Sequence, residues 1–319
     1  MIRLGVDLGG TNIAVGAVDE TYRIIGKGSV PTGAERAPEK IVEDIAALCR
    51  KVVADIGLTM QDVAAVGIAA PGTINSTEGY VEYANNLPFR HFPIVSLLRD
   101  CLDGKTVFVD NDANAAAWGE AVAGAAAGTA NSVMITLGTG VGGGVIIDHK
   151  VYSGFNGAGA ELGHMVIAKD GYPCSCGRHG CWEAYSSATA LIRMTTEKLK
   201  ECEATGRKTA MTAMAEKKGR VTGRTAFDAA RAGDEAAQEV VDVYLDYLAC
   251  GITNMINIFQ PEILSVGGGI SGEGQSLIDA LLPRIRKESY GGNVVPATHL
   301  RIAKLGNDAG IVGAAVLGL

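Results

Sequence analysis

The chain has 319 residues, 47% of them hydrophobic and 20% charged, with a net charge of −7. That length exceeds what one hydrophobic core usually holds, so two domains are expected. The acidic balance and the 5% aromatic content argue against a nucleic-acid surface, and neither a leader pattern nor an apolar run of about 18 residues predicts export or a membrane span.

Residues 2–6 are apolar and β-branched and predict a strand. Asp7, Leu8, Gly9, Gly10, Thr11 and Asn12 follow as a glycine turn. Ile13, Val15 and Ala17 then alternate with smaller residues as a half-buried strand does. Residues 22–30 predict a third strand, so the chain opens as a meander. Residues 38–56 predict a helix, with Ile41, Ile45, Leu48, Val52 and Ile56 on one face, Pro38 at its start and Gly57 at its end. Strands follow at 63–69 and 107–109, the second running into Asn111 and Asp112, and residues 114–122 predict a helix.

A second strand, glycine turn and strand come next: residues 133–137, then 138–144, then 145–147. The run Leu137, Gly138, Thr139, Gly140 echoes Leu8, Gly9, Gly10, Thr11, which suggests two related domains. Residues 234–259 carry the longest helical pattern, through Val240, Tyr244, Leu248, Ile252, Met255 and Phe259. A strand at 262–266 ends in Gly267, Gly268 and Gly269. A helix at 277–287, a strand at 300–303 and a helix at 309–317 complete the reading. Residues 206–224, rich in lysine and arginine, read as a solvated surface excursion.

Adjacent glycines let backbone N–H groups approach a phosphate, although a tight hairpin also favours glycine. Three such turns, each after a strand, favour phosphate binding. Gly138, Gly140 and Gly143 fit a dinucleotide fingerprint by spacing, but a β-branched strand follows where that fingerprint opens a helix. Gly104, Lys105 and Thr106 resemble the end of a Walker motif, but Arg99 stands where its first glycine belongs.

Seven cysteines, an odd number, argue against a disulfide framework. Cys174, Cys176 and Cys181, with His164 ahead of them, offer three thiolates and one imidazole, the donor set of a closed structural zinc site. Gly177 and Gly180 permit the bends it needs. Asp112 follows a strand and precedes a helix, which suits a catalytic aspartate or a helix cap equally. Glu161 and Glu183 flank the metal loop and read either as tied to it or as surface charge. Asp7 could hold Mg2+ through water or cap its turn.

Together these residues resemble the ROK family of sugar kinases and sugar-responsive repressors. Residues 174–183 match the signature C-x-C-G-x-x-G-C-x-E in full, and Glu161, Gly163 and His164 match its companion motif. Residues 7–12 and 137–144 resemble the two phosphate motifs, and Gly267–Gly269 the adenosine motif. The resemblance implies an α/β, actin-like fold of two ribonuclease-H-like domains with a cleft between them. The expected division is residues 1–111 with 306–319, and residues 112–305 with the zinc loop.

The resemblance also implies ATP as phosphoryl donor, Mg2+, a structural Zn2+ and a hexose phosphorylated at its 6-hydroxyl. Asp112 would be the general base, and Asn86, Asn111, Asp112, Glu161, His164 and Glu183 would bind the sugar. Asp7, Gly9, Gly10, Thr11, Asn12, Gly138, Thr139, Gly140, Gly268 and Gly269 would bind the nucleotide. Trp182, Glu183, Tyr185 and Ser187, with Asn86, Leu87 and Pro88, look most like the glucokinase branch. Ala188 and Phe89–Arg90 depart from that branch, which often has glycine and tryptophan there. An N-acetylmannosamine or N-acetylglucosamine kinase is the alternative. Family repressors carry a helix-turn-helix ahead of the first phosphate motif, whereas Asp7 is here the seventh residue, so a kinase is expected over a regulator. A cytoplasmic homodimer or dimer of dimers, binding hexose and nucleotide but no nucleic acid or membrane, is expected.

Overall fold

The β-branched opening of the chain forms the meander that its alternation predicts. β1 (Ile2–Leu8), β2 (Asn12–Val18) and β3 (Ile24–Pro31) pair antiparallel in succession. The computed structural model describes residues 1–292 and 294–319. Helix α1 (Pro38–Asp55) has Pro38 in its first turn and buries Ile41, Ile45, Leu48 and Val52, the face read from the sequence. β4 (Val63–Ala70) returns parallel to β1. β5 (Thr73–Asn75), β6 (Tyr80–Tyr83) and β7 (Arg90–Phe92) make a small antiparallel sheet. Helix α2 (Ile94–Cys101) leads to β8 (Val107–Asn111), parallel to β4, and to α3 (Asp112–Ala123). The resulting sheet has the order β3-β2-β1-β4-β8.

The rest of the chain repeats this plan. β9 (Ser132–Leu137), β10 (Val141–Ile147) and β11 (Lys150–Val151) precede α4 (Glu183–Ser186), α5 (Ala188–Thr205), α6 (Ala210–Lys218), α7 (Thr225–Arg231) and α8 (Glu235–Phe259). β12 (Ile263–Gly267), α9 (Gln275–Glu288), β13 (His299–Ile302) and α10 (Ala309–Ala315) follow. The second sheet runs β11-β10-β9-β12-β13, the same strand order as the first when the two runs are laid side by side. The glycine-turn echo in the sequence is thus the trace of a duplicated topology, the α/β plan of an actin-like fold. β10 begins at Val141, four residues earlier than its β-branched run suggested, because Gly142, Gly143 and Gly144 are extended rather than turned. Residues 210–218 within the expected surface excursion form α6, whose lysines remain exposed.

The chain divides into two compact units: Met1–Met134 with Gly144–Ala160 and Ala303–Leu319, and Ile135–Gly143 with Glu161–Ile302. This differs from the division expected from sequence, since α3 and residues 144–160 fall with the first unit. The reason is the packing of α3 on α10. A Cβ on Gly313 would lie 1.7 Å from the Ala115 carbonyl oxygen, so only glycine permits the approach. Glu120, wholly buried in α3, fixes the same arrangement by accepting N–H bonds from Lys304 (3.0 Å), Leu305 (2.7 Å) and Ala125 (2.6 Å). The first unit's core is built of Leu4, Val6, Ile13, Ile41, Ile45 and Ile68. No described helix is long and apolar enough to cross a membrane.

Candidate active site

In the first unit the turn after β1 is closed by its own backbone. Gly9 donates its N–H to the Asn12 carbonyl (2.9 Å), and Thr32 donates its hydroxyl to Gly9 O (2.7 Å) and its N–H to Thr11 O (2.9 Å). Among the described residues no hydrogen-bond partner meets the N–H groups of Gly10 and Thr11, which leaves two donors for an anion. Asn86 stands against this turn, 3.2 Å from where a Gly10 Cβ would be. Asp7 lies within β1 rather than in the turn. Burial and then the negative charge of Asp112 push its carboxyl above the ordinary value, with Lys27 opposing them. Two carboxylates repelling each other at the end of a sheet are a fitting place for a divalent cation.

Asn111 and Asp112 take separate jobs where β8 passes into α3. Asn111 caps the helix: its Oδ1 accepts from Ala113 N (2.9 Å) and Asn114 N (3.3 Å), and its Nδ2 donates to Gly72 O (3.0 Å). The capping role open to Asp112 on sequence therefore belongs to Asn111. Asp112 is the first helical residue and is exposed at the carboxyl end of β8. Behind them Asp110 is buried and accepts from Asn111 N (2.7 Å) and Asn114 Nδ2 (3.1 Å), and burial pushes its carboxyl up. This pairing, missed in the sequence, stiffens the junction that carries Asp112.

In the second unit the turn between β9 and β10 is gripped by one segment. Gly138 donates its N–H to Gly140 O (3.0 Å). Ala188 donates its N–H to Gly138 O (2.9 Å), and Thr189 its hydroxyl to Thr139 O (2.8 Å). Val141 donates its N–H to Glu183 Oε2 (3.1 Å). A Cβ on Gly140 would fall 2.0 Å from that oxygen, so glycine is needed here for the carboxylate's approach. The N–H groups of Thr139 and Gly140 have no hydrogen-bond partner among the described residues. Gly268, with φ of +82°, sits on the end of β9, where a Cβ would meet the Leu137 backbone at 2.6 Å, while Gly269 faces open space.

Four ligand atoms from His164, Cys174, Cys176 and Cys181 lie within 4.8 Å of one another. Cys174 Sγ is 3.6 Å from His164 Nδ1, and Cys176 Sγ is 3.6 Å from Cys181 Sγ. A tetrahedral Zn2+ with bonds of roughly 2.0–2.3 Å needs ligands about 3.5–3.8 Å apart, so the donor set and its spacing fit that ion. Gly177 (φ +86°) and Gly180 (φ +80°) supply the left-handed bends. Burial pushes the Cys181 thiol up to about 12, a preference that a coordinated cation would override. The loop is anchored by Trp182, fully buried, whose Nε1 donates to Tyr247 O of α8 (3.2 Å) and whose ring lies where Gly251 lacks a side chain. Glu161, exposed, opens the one-turn helix Leu162–His164. Ser175 Oγ donates to Glu183 Oε1 (3.3 Å), a contact that the cysteine signature hides in one of its variable positions.

A duplicated actin-like topology carrying a four-ligand loop beside a glycine turn is the architecture that the signature residues led one to expect. The ROK family pattern matches residues 3–319, and the chain belongs to the ROK family. It is similar to a glucokinase of Halalkalibacterium halodurans, 37% identical over 97% of this chain and 92% of that one. An N-acetylmannosamine kinase of Citrobacter koseri is 32% identical over 99% and 98%. Among solved structures, a ROK family glucokinase from Streptomyces griseus in complex with glucose and AMPPNP has 36% identity and a TM-score of 0.80, with 99% of both chains covered.

Proposed function

We propose that this chain is an ATP-dependent glucokinase that phosphorylates the 6-hydroxyl of D-glucose. The observation that carries the reading is its likeness, over nearly its whole length, to a glucokinase holding glucose and AMPPNP. Asp112 is the general base: it takes the proton of the 6-hydroxyl as that oxygen bonds to the γ-phosphorus and the bridging bond to ADP breaks. Asn86, Asn111, Glu161, His164 and Glu183 bind sugar hydroxyls. His164, with Nδ1 toward the cysteine sulfurs, has Nε2 left for the sugar. The free N–H groups of Gly10, Thr11, Thr139 and Gly140 receive phosphate oxygens. Asp7, Gly9, Asn12 and Gly138 shape those turns, and Gly268 and Gly269 lie along the nucleoside.

Zn2+ held by His164, Cys174, Cys176 and Cys181 is structural and fixes the loop that carries Glu183. Mg2+ near Asp7 would neutralise phosphate charge and relieve the repulsion between Asp7 and Asp112. Seven free thiols suit a reducing, cytoplasmic setting, and a homodimer or dimer of dimers is the proposed assembly.

The likeness to an N-acetylmannosamine kinase supports a second reading, phosphorylation of an N-acylhexosamine. A coupled assay with ATP, Mg2+ and a panel of hexoses decides between them. Glucose giving the highest kcat/KM is expected, and N-acetylated sugars giving a higher value would replace glucose as substrate.

A further inference from the structure

The contacts of Glu183 assign it work that sugar binding does not require. Its Oε2 accepts the Val141 N–H at 3.1 Å, at the exit of the glycine turn. Its Oε1 accepts from Ser175 Oγ at 3.3 Å and lies 3.7 Å from Cys174 Sγ, in the metal loop. The turn's other fastenings, from Ala188 N and Thr189 Oγ1, go to its carbonyls and come from the start of α5. Glu183 alone among these holds the turn by an N–H, and Gly140 is bare of a side chain so that it can.

A turn that presents Thr139 and Gly140 N–H groups to phosphate binds best when its backbone is already in the receiving shape. We propose that Glu183 is a positioning residue for the nucleotide: its carboxylate holds the second phosphate turn in its phosphate-receiving conformation, independently of any sugar. The inference rests on the kinase reading, since it takes residues 138–140 as a phosphate site. It makes one carboxylate common to the metal loop, the sugar and the nucleotide turn.

The conservative variant separates this role from sugar binding. The amide oxygen of Glu183→Gln can still accept the Val141 N–H, whereas Glu183→Ala cannot. Calorimetric titration with AMPPNP and Mg2+, in the absence of sugar, is expected to give a Kd about five- to tenfold weaker for Glu183→Ala. Glu183→Gln should bind within about twofold of wild type, although both variants lose glucose affinity. Equal AMPPNP affinity in the Ala variant and wild type would overturn the proposal, as would a Gln variant as weak as Ala. Should the Ala variant fail to fold or lose its metal, hydrogen exchange in the wild type decides. A Val141 amide slower than those of Thr139 and Gly140 supports the bond, and one equally fast overturns it. Wild-type protein that binds no AMPPNP would instead sink the kinase reading, which keeps the two failures apart.

Discussion

Asp112 and Asn111 are adjacent, both polar, and both at the end of a strand, yet the fold gives them opposite uses. Asn111 spends its oxygen on the helix cap and one N–H on Gly72, so its side chain is fixed in place. Asp112 stands exposed with Asp7 as its like-charged neighbour. Replacing Asp112 by Asn keeps the shape and removes the base. The kcat should fall by about 10²–10⁴, with the glucose Kd from calorimetry within a few-fold of wild type. The general place of Asp112 was legible, because a loop aspartate after a strand is a recognisable pattern. That Asn111 rather than Asp112 would be the N-cap was not, since cap geometry depends on which of two neighbours turns inward. The cysteine loop was legible for a different reason: thiolates at that spacing have few other uses. The Val141–Glu183 bond left no trace in the sequence, because a backbone N–H has no residue identity.

At the scale of elements, what could be read tracks how much each one buries. Helix α8 buries thirteen residues, and its period was plain. Helix α6 buries only Met211, and β5 to β7 have three or four residues each, too few to show alternation. Such elements are held by their surroundings. Asp234 is an example: its Oδ1 caps α8 through Ala237 N (2.9 Å) while Oδ2 accepts from Ala210 N at the start of α6. Burial, the largest single influence, works against its charge, but the N–H bonds of Ala237, Ala210 and Ala236 and the Thr209 hydroxyl together outweigh it and hold the carboxyl below its ordinary range. A lowered folded pKa means stabilisation that is present above the unfolded pKa and lost as pH falls through the folded one. Asp234→Ala should therefore cost about 1–2 kcal/mol in urea unfolding near pH 7, and the gap to wild type should close below the ordinary Asp value of about 3.9. Gly313→Ala should cost about 3 kcal/mol in the same measurement, because the opposing Ala115 carbonyl is backbone and cannot swing aside.

Across the whole molecule, the duplicated strand order was foreshadowed by four residues at each glycine turn. The division into units was expected only in part: residues 306–319 were read with the first unit and α3 was not, because the place of α3 depends on its packing against α10, a contact between residues far apart in the chain. Each unit has its own dependence. Cys176→Ala should abolish bound zinc by metal analysis and speed hydrogen exchange across residues 161–187, while β1 and β4 exchange as in wild type. Equal exchange in both regions would show that the metal loop stabilises nothing beyond itself. The seating of α10 also has a consequence for biosynthesis. Cβ atoms on Gly5, Gly67 and Gly313 would meet carbonyl oxygens at 1.8, 1.8 and 1.7 Å, so α10 is wedged onto β1, β4 and α3 at backbone distance. On the ribosome β1, β4 and α3 are made well before the helix that locks them. The backbone-tight packing around Gly5, Gly67 and Gly313 therefore stays open until α10 has been made, so closure of the first unit waits on a segment far along the chain from the strands it covers.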